Sequence, residues 1–190
     1  MEDHSKASKP QSIFNIWKRK KEFLEIAEDM TPLFQYQMRD HKFQPAGAFY
    51  AECLGFLAMC KLQNIDVILE SGMSKGNSTE IWVKNFPGKV ITFEHDRKPH
   101  HDDVVKRLNK LDQKRSSHQS LVINFEDSYD GFEREIVAHS DRRIAVFIDG
   151  PKALGAVDLA MRSFDHSNVI FAGIHDVANP VTKTRPHYGF

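Results

Sequence analysis

Cysteine is scarce in this chain. Only Cys53 and Cys60 occur, so a disulfide framework is excluded. They fall seven residues apart on a predicted helix, about two turns, too far to bridge within it. They read as small buried hydrophobes, and a reducing, cytoplasmic setting is expected. No apolar run approaches the ~20 residues of a membrane span. The first residues are polar and mixed in charge, unlike a signal peptide. Charge of one sign is not in excess either. Lys plus Arg number 26 and Asp plus Glu number 26, so there is no global field to collect nucleic acid or an anionic membrane. Internal repeats and low-complexity tracts are missing. What remains, 41% apolar and 27% charged, fits a globular chain long enough for one sizeable core.

Two phosphate-binding signatures are also missing. No G-x-G-x-x-G follows a predicted strand, and Asn77 follows Gly76 where a P-loop needs lysine and then a hydroxyl. In their place stands an apolar run ending in Glu70-Ser71-Gly72-Met73-Ser74-Lys75-Gly76-Asn77-Ser78. The run reads as a buried parallel strand and the residues after it as a helix. Glycines at 72 and 76 allow backbone angles or close approaches that a Cβ forbids. Asn77 or Ser78 can cap the helix, leaving N–H groups aimed at the turn. A strand, a glycine turn and a helix start form a small-molecule cradle at the carboxyl edge of a sheet.

The rest of the chain repeats that rhythm. Residues 1–11 read as a disordered tail and 12–64 as an N-terminal helical extension. Within it one helix spans 12–30 and is stopped at Thr31-Pro32, an irregular stretch covers 34–45, and a second helix spans 48–62. The basic run Lys18-Arg19-Lys20-Lys21 reads as a solvated helix face, with a membrane-surface or partner helix as the other reading. Residues 65–190 form the main domain. Its strands are expected at 66–69, 89–93, 120–125, 143–148 and 168–174, and its helices at 78–85, 102–111, 129–138 and 153–164. Alternating strands and helices predict an α/β fold, a doubly wound and mostly parallel five-stranded sheet with helices on both faces, for which the Rossmann-like order 3-2-1-4-5 is expected. Every strand runs straight into a carboxylate: Glu70, Glu94, Asp127 after Glu126, Asp149 and Asp176. In such sheets the ligand sits beyond the strand carboxyl ends. His100-His101-Asp102-Asp103 reads as a solvated helix cap rather than a metal site.

The pattern E-x-G-x-x-x-G-x-S, carried by Glu70, Gly72, Gly76 and Ser78, resembles motif I of the class I S-adenosylmethionine-dependent methyltransferases. The resemblance runs over about 66–176. It implies a Rossmann-like fold, S-adenosylmethionine as cofactor and a small-molecule hydroxyl as acceptor. It places Gly72, Ser74, Gly76 and Ser78 around the methionine part of the cofactor and Glu70 at its ammonium end. Glu94, with His95 beside it, would accept from the ribose hydroxyls. Asp127 and Ser128 would meet the adenine, with Glu126 as the other register. Asp149 and Lys152 are similar in spacing to the aspartate and lysine of catechol-type O-methyltransferases. There the first holds Mg²⁺ and the second takes the acceptor's proton. Asp176 would be the second metal ligand, but Val177 replaces the asparagine expected next, which leaves either Asn179 in its place or no Mg²⁺. A helix-start role in solvent is the other reading of Lys152. For His175, a general base and a structural imidazole both stand.

The family's two terminal antiparallel strands are expected to be missing, since only about 14 residues follow Asp176. Strand five is then a bare edge through which a homo-oligomer can form. Three functions follow: methyl transfer to a small molecule, an inactive nucleoside-binding or partner-binding relative, and a Rossmann-like enzyme using NAD, which the glycine spacing disfavours.

Overall fold

A computed structural model describes residues 18–41, 48–115 and 120–175. Its elements run helix α1 (Lys20–Met38), helix α2 (Tyr50–Leu62), strand β1 (Val67–Ser71), helix α3 (Asn77–Asn85), strand β2 (Lys89–Phe93), helix α4 (His101–Asp112), strand β3 (Leu121–Asn124), helix α5 (Ser128–Ala138), strand β4 (Ile144–Ile148), helix α6 (Leu154–Ser163) and strand β5 (Val169–Ile174). The predicted tail at 1–11 lies outside the described residues.

The five strands form one sheet in the order β3-β2-β1-β4-β5, and every pairing is parallel. This is the expected α/β, Rossmann-like arrangement. Strands β1 and β4 are buried throughout, as the unbroken runs VILES and IAVFI require when both faces are covered. Side chains alternate between two cores. Ile68, Val90, Ala145 and Phe147 meet α2 and α3 through Phe56, Ile81 and Trp82. Val67, Leu69, Ile91, Phe93 and Val146 meet α5 and α6 through Phe132, Ile136, Leu159 and Ala160. Helix α4 closes the first face near β3 with Val104 and Leu108. Cys53 and Cys60 are free and buried, and burial pushes both thiols well above their ordinary range, so they pack as inert apolar groups.

The expected helix stop at Thr31-Pro32 is overturned. Pro32 lies inside α1, which continues to Met38 through part of the stretch expected to be irregular. Proline removes one intrahelical donor, a sizeable penalty in isolation. Here the last turns are held from outside. Phe34 and Met38 are buried in the core that contains Cys53 and Phe56. Lys18, Lys20 and Lys21 are exposed, as a solvated face requires, and Arg19 is half-buried, reaching the Leu62 carbonyl at 3.3 Å.

Candidate functional site

The turn from β1 into α3 lies at the reversal of strand order, between the tips of β2 and β4. Ser71 is in register with Phe93 on one side and Ile148 on the other. Gly72 has φ +89°, and a Cβ there would stand 2.8 Å from the Gly150 nitrogen, so only glycine lets the turn lie against β4. Gly76 caps α3 with φ +73°, and a Cβ would meet Val104 Cγ1 at 2.7 Å. Ser74 between them also has positive φ, 47°. The Gly72 amide donates to the Phe93 carbonyl at 2.9 Å, and the Ser74 amide donates to Glu94 Oε2 at 2.6 Å. The carboxylate at the end of β2 is therefore seated on the glycine turn. Its oxygens can accept further donors from a ligand lying across both.

Glu70 is placed elsewhere. Alternation along β1 turns it toward α3, where it is 0% exposed. Thr79 Oγ1 and Trp82 Nε1 donate to its carboxylate, the latter at 2.8 Å. Burial raises its pKa, against the pull of hydrogen bonds from Ser78, Thr79 and Trp82. Glu70 and the buried Ser78 thus form a buckle beneath α3 instead of a grip on the cofactor's ammonium end. The opposite face of β1 carries Ser71, whose Oγ lies 2.6 Å from Ser128 Oγ and against the Gly150 carbonyl. Ser128 is correspondingly buried and ties the start of α5 to β1 and β4.

On the other side of Glu94, His95 Nδ1 lies 3.5 Å from Asp127 Oδ2, joining the tips of β2 and β3 across an exposed surface. Asp127 also caps α5, its Oδ1 accepting from the Tyr129 amide at 2.7 Å. Glu126 is engaged by Arg134 at 2.6 Å and points away along α5. The Arg97 guanidinium stacks over Phe125 at 4.9 Å, giving this end an aromatic and cationic wall. His101 corrects the solvated-cap reading. It is 1% exposed, takes the Lys98 amide on Nδ1 at 3.0 Å and packs on Phe125. Its ring also bonds the Ser74 backbone, and burial, with His100 alongside, lowers its pKa.

A second cluster occupies the tips of β4 and β5. Lys152 Nζ donates to Asp149 Oδ1. His175 is 6% exposed, with Nε2 at 3.9 Å from that same oxygen and Nδ1 at 3.0 Å from Glu52 Oε2. The ring lies parallel to Phe147. Glu52 sits in the first turn of α2, where it also accepts from the Phe49 amide at 3.4 Å. Sequence reasoning missed Glu52. The sole signal was an acid near a helix start, which a cap explains without invoking the site. Asp176 lies outside the described residues. Among the described residues no group of three or more His, Cys, Asp and Glu side chains can hold a metal ion.

Described cavities lie away from these tips. One of about 540 Å³ opens between α1, α3 and α4, lined among others by Gln37, Lys84, Phe86, Lys114 and Arg115. Two of its charged side chains are already engaged, Lys84 by Glu80 and Arg115 by backbone carbonyls and Asp112. The site at the strand tips is marked by its converging polar groups.

No protein-family model matches the chain, and no curated protein does. Solved structures do match. One is a crystal structure from Klebsiella pneumoniae provisionally described as an O-methyltransferase, 19% identical, covering 73% of this chain and 69% of that one, with a TM-score of 0.43. A likeness at that level carries no argument about activity, so the functional reading rests on the site itself.

Proposed function

We propose that this chain is an S-adenosylmethionine-dependent methyltransferase acting on a hydroxyl of a small molecule. The observation that carries the reading is the Glu94 carboxylate, seated 2.6 Å from the Ser74 amide on a two-glycine turn at the reversal of strand order. A Cβ at Gly72 or Gly76 would collide with Gly150 or Val104, so glycine at both positions lets the turn close against β4 and α4 and hold one shape. In this reading Gly72, Ser74 and Gly76 present backbone to the methionine part, and Ser78 holds the helix start behind them. Glu94 accepts from the ribose hydroxyls, and His95, Asp127 and Ser128 border the adenine. When bound, the cofactor supplies an electrophilic methyl on a sulfonium.

The acceptor end is the Asp149, Lys152 and His175 cluster. Asp149 holds the Lys152 ammonium in place, and His175, braced by Glu52, stands beside them to receive a hydroxyl proton. Asp149 is engaged by Lys152 and the neighbouring Glu52 by His175, the described residues hold no group of three or more metal-ligating side chains, and Asp176, the second expected Mg²⁺ ligand, lies outside them. No step is routed through a metal.

Isothermal titration with S-adenosylhomocysteine tests the proposal. Binding by the wild type and a loss of about ten- to a hundredfold in Glu94→Ala are expected, the size of a charge-assisted hydrogen-bond pair. No heat from folded wild-type protein overturns it. A second reading, a nucleoside-binding relative without turnover, is favoured by Glu70, whose carboxylate is committed to α3. Binding without methyl transfer to any of a broad panel of hydroxyl acceptors supports that reading, and turnover removes it.

A further inference from the structure

The glycine turn contains three residues with positive φ within five positions, Gly72, Ser74 and Gly76. A segment so far from regular structure needs outside restraints to keep one shape. Its inner side has them in the Phe93 carbonyl and Glu94. Its outer side is held by α4. Arg107 Nη2 donates to the Lys75 carbonyl at 2.7 Å, while Nη1 of the same guanidinium donates to Glu80 Oε2. Arg107 Nη2 would also stand 3.3 Å from a Cβ at Gly76, so the guanidinium lies directly over the turn.

Glu80 is a fixed anchor. It is 7% exposed and lies one turn into α3, and its other oxygen takes Lys84 Nζ at 2.7 Å. His41 Nε2 faces it at 4.0 Å, with the other ring nitrogen 3.0 Å from Tyr50 Oη. Arg107 itself is half-exposed, so its value lies in geometry rather than in buried area. A guanidinium presents a rigid fork and meets two acceptors at once, and lysine, a single-point donor, does not.

We propose that Arg107, braced by Glu80, is a positioning residue for the cofactor, clamping the Lys75 carbonyl so that the glycine turn is already in its binding shape. The inference rests on the cofactor reading above, and it adds two residues from outside the motif that hold it in place. Preorganising a loop raises affinity by removing the ordering penalty at binding.

Two measurements on the full chain test it. Amide hydrogen exchange follows Gly72, Ser74 and Gly76 in the wild type, Arg107→Ala and Arg107→Lys, each without ligand. Titration with S-adenosylhomocysteine follows affinity in the same proteins. Faster exchange confined to the turn in Arg107→Ala is expected, with affinity about tenfold weaker and the rest of the chain as protected as before. Arg107→Lys keeps the charge beside Glu80 and is expected to protect the turn only in part. Unchanged exchange at the turn in Arg107→Ala overturns the clamp. Faster exchange throughout the molecule, or faster exchange at the turn with unchanged affinity, overturns the positioning role. Failure of the wild type to bind overturns the cofactor reading instead, and the exchange data still decide whether the clamp exists.

Discussion

Glu70 and Glu94 end consecutive strands and look interchangeable in sequence, yet one faces a helix interior and the other sits on the glycine turn. The difference is position along the sheet: Glu70 is in register with Thr92, two residues before Glu94. Alternation puts Glu70 on the α3 side, where a tryptophan and a threonine are waiting for it. Glu94 stands just past the end of β2 and is free of that alternation. The sequence therefore marks that acids gather at one edge but not which of them turn inward. Glu70→Gln keeps the shape and part of the hydrogen bonding, whereas Glu70→Ala leaves the Trp82 and Thr79 donors without a partner. A loss of about 2–4 kcal/mol for the alanine variant, and much less for glutamine, is expected in denaturant unfolding. Equal losses in the two would remove the hydrogen-bonding role. His41 supplies a pH prediction. Burial lowers its pKa below the ordinary 6.5, with Lys84 and Arg107 adding to the effect and Glu80 opposing it. The unfolded chain then binds more protons than the native one, so stability is fully present above pH 6.5 and is lost as pH falls from there through the native value. His101 is shifted the same way. A thermal melt series should show Tm falling more steeply below pH 6.5 in the wild type than in His41→Gln, and parallel curves would remove His41 from the account.

At the scale of elements, the βα rhythm was legible because its signals are local. The strand runs and the glycine pair need no knowledge of the fold. Helix α1 was not legible, because its continuation past Pro32 depends on where Phe34 and Met38 land. Thr31 adds to this by donating its hydroxyl to the Ala27 carbonyl at 2.7 Å, a local bond beside the one proline forgoes. Pro32→Ala restores a backbone donor with no change in the buried face. A stabilisation of about 1–3 kcal/mol is expected, read as an increase in the denaturant midpoint at unchanged slope. A lower midpoint would mean that proline at position 32 is needed to seat Phe34 and Met38. Glu52 was hidden for the opposite reason. It satisfies a helix-start rule by itself, and nothing in the chain around it announces a histidine far away.

For the whole molecule, alternation gave a parallel sheet covered on both faces, and the Rossmann-like resemblance supplied its strand order. Side-chain pairing across the two cores was not legible, since neutral overall charge and evenly spread apolar residues leave long-range partners unspecified. Among the described residues, no helix is long and apolar enough to cross a membrane. Strand β5 ends the described sheet, and pairing through that margin is expected to give twice the 21.9 kDa chain mass in light scattering. A single-chain mass at every concentration would exclude it. The Glu52–His175 contact spans 123 residues of sequence. A ribosome delivers α2 long before β5, so a nascent chain carries an acid whose mate has not yet been made. The acceptor corner is thereby assembled late, by closing a loop of that length, and any translational pause or internal cleavage between the two leaves that corner undone.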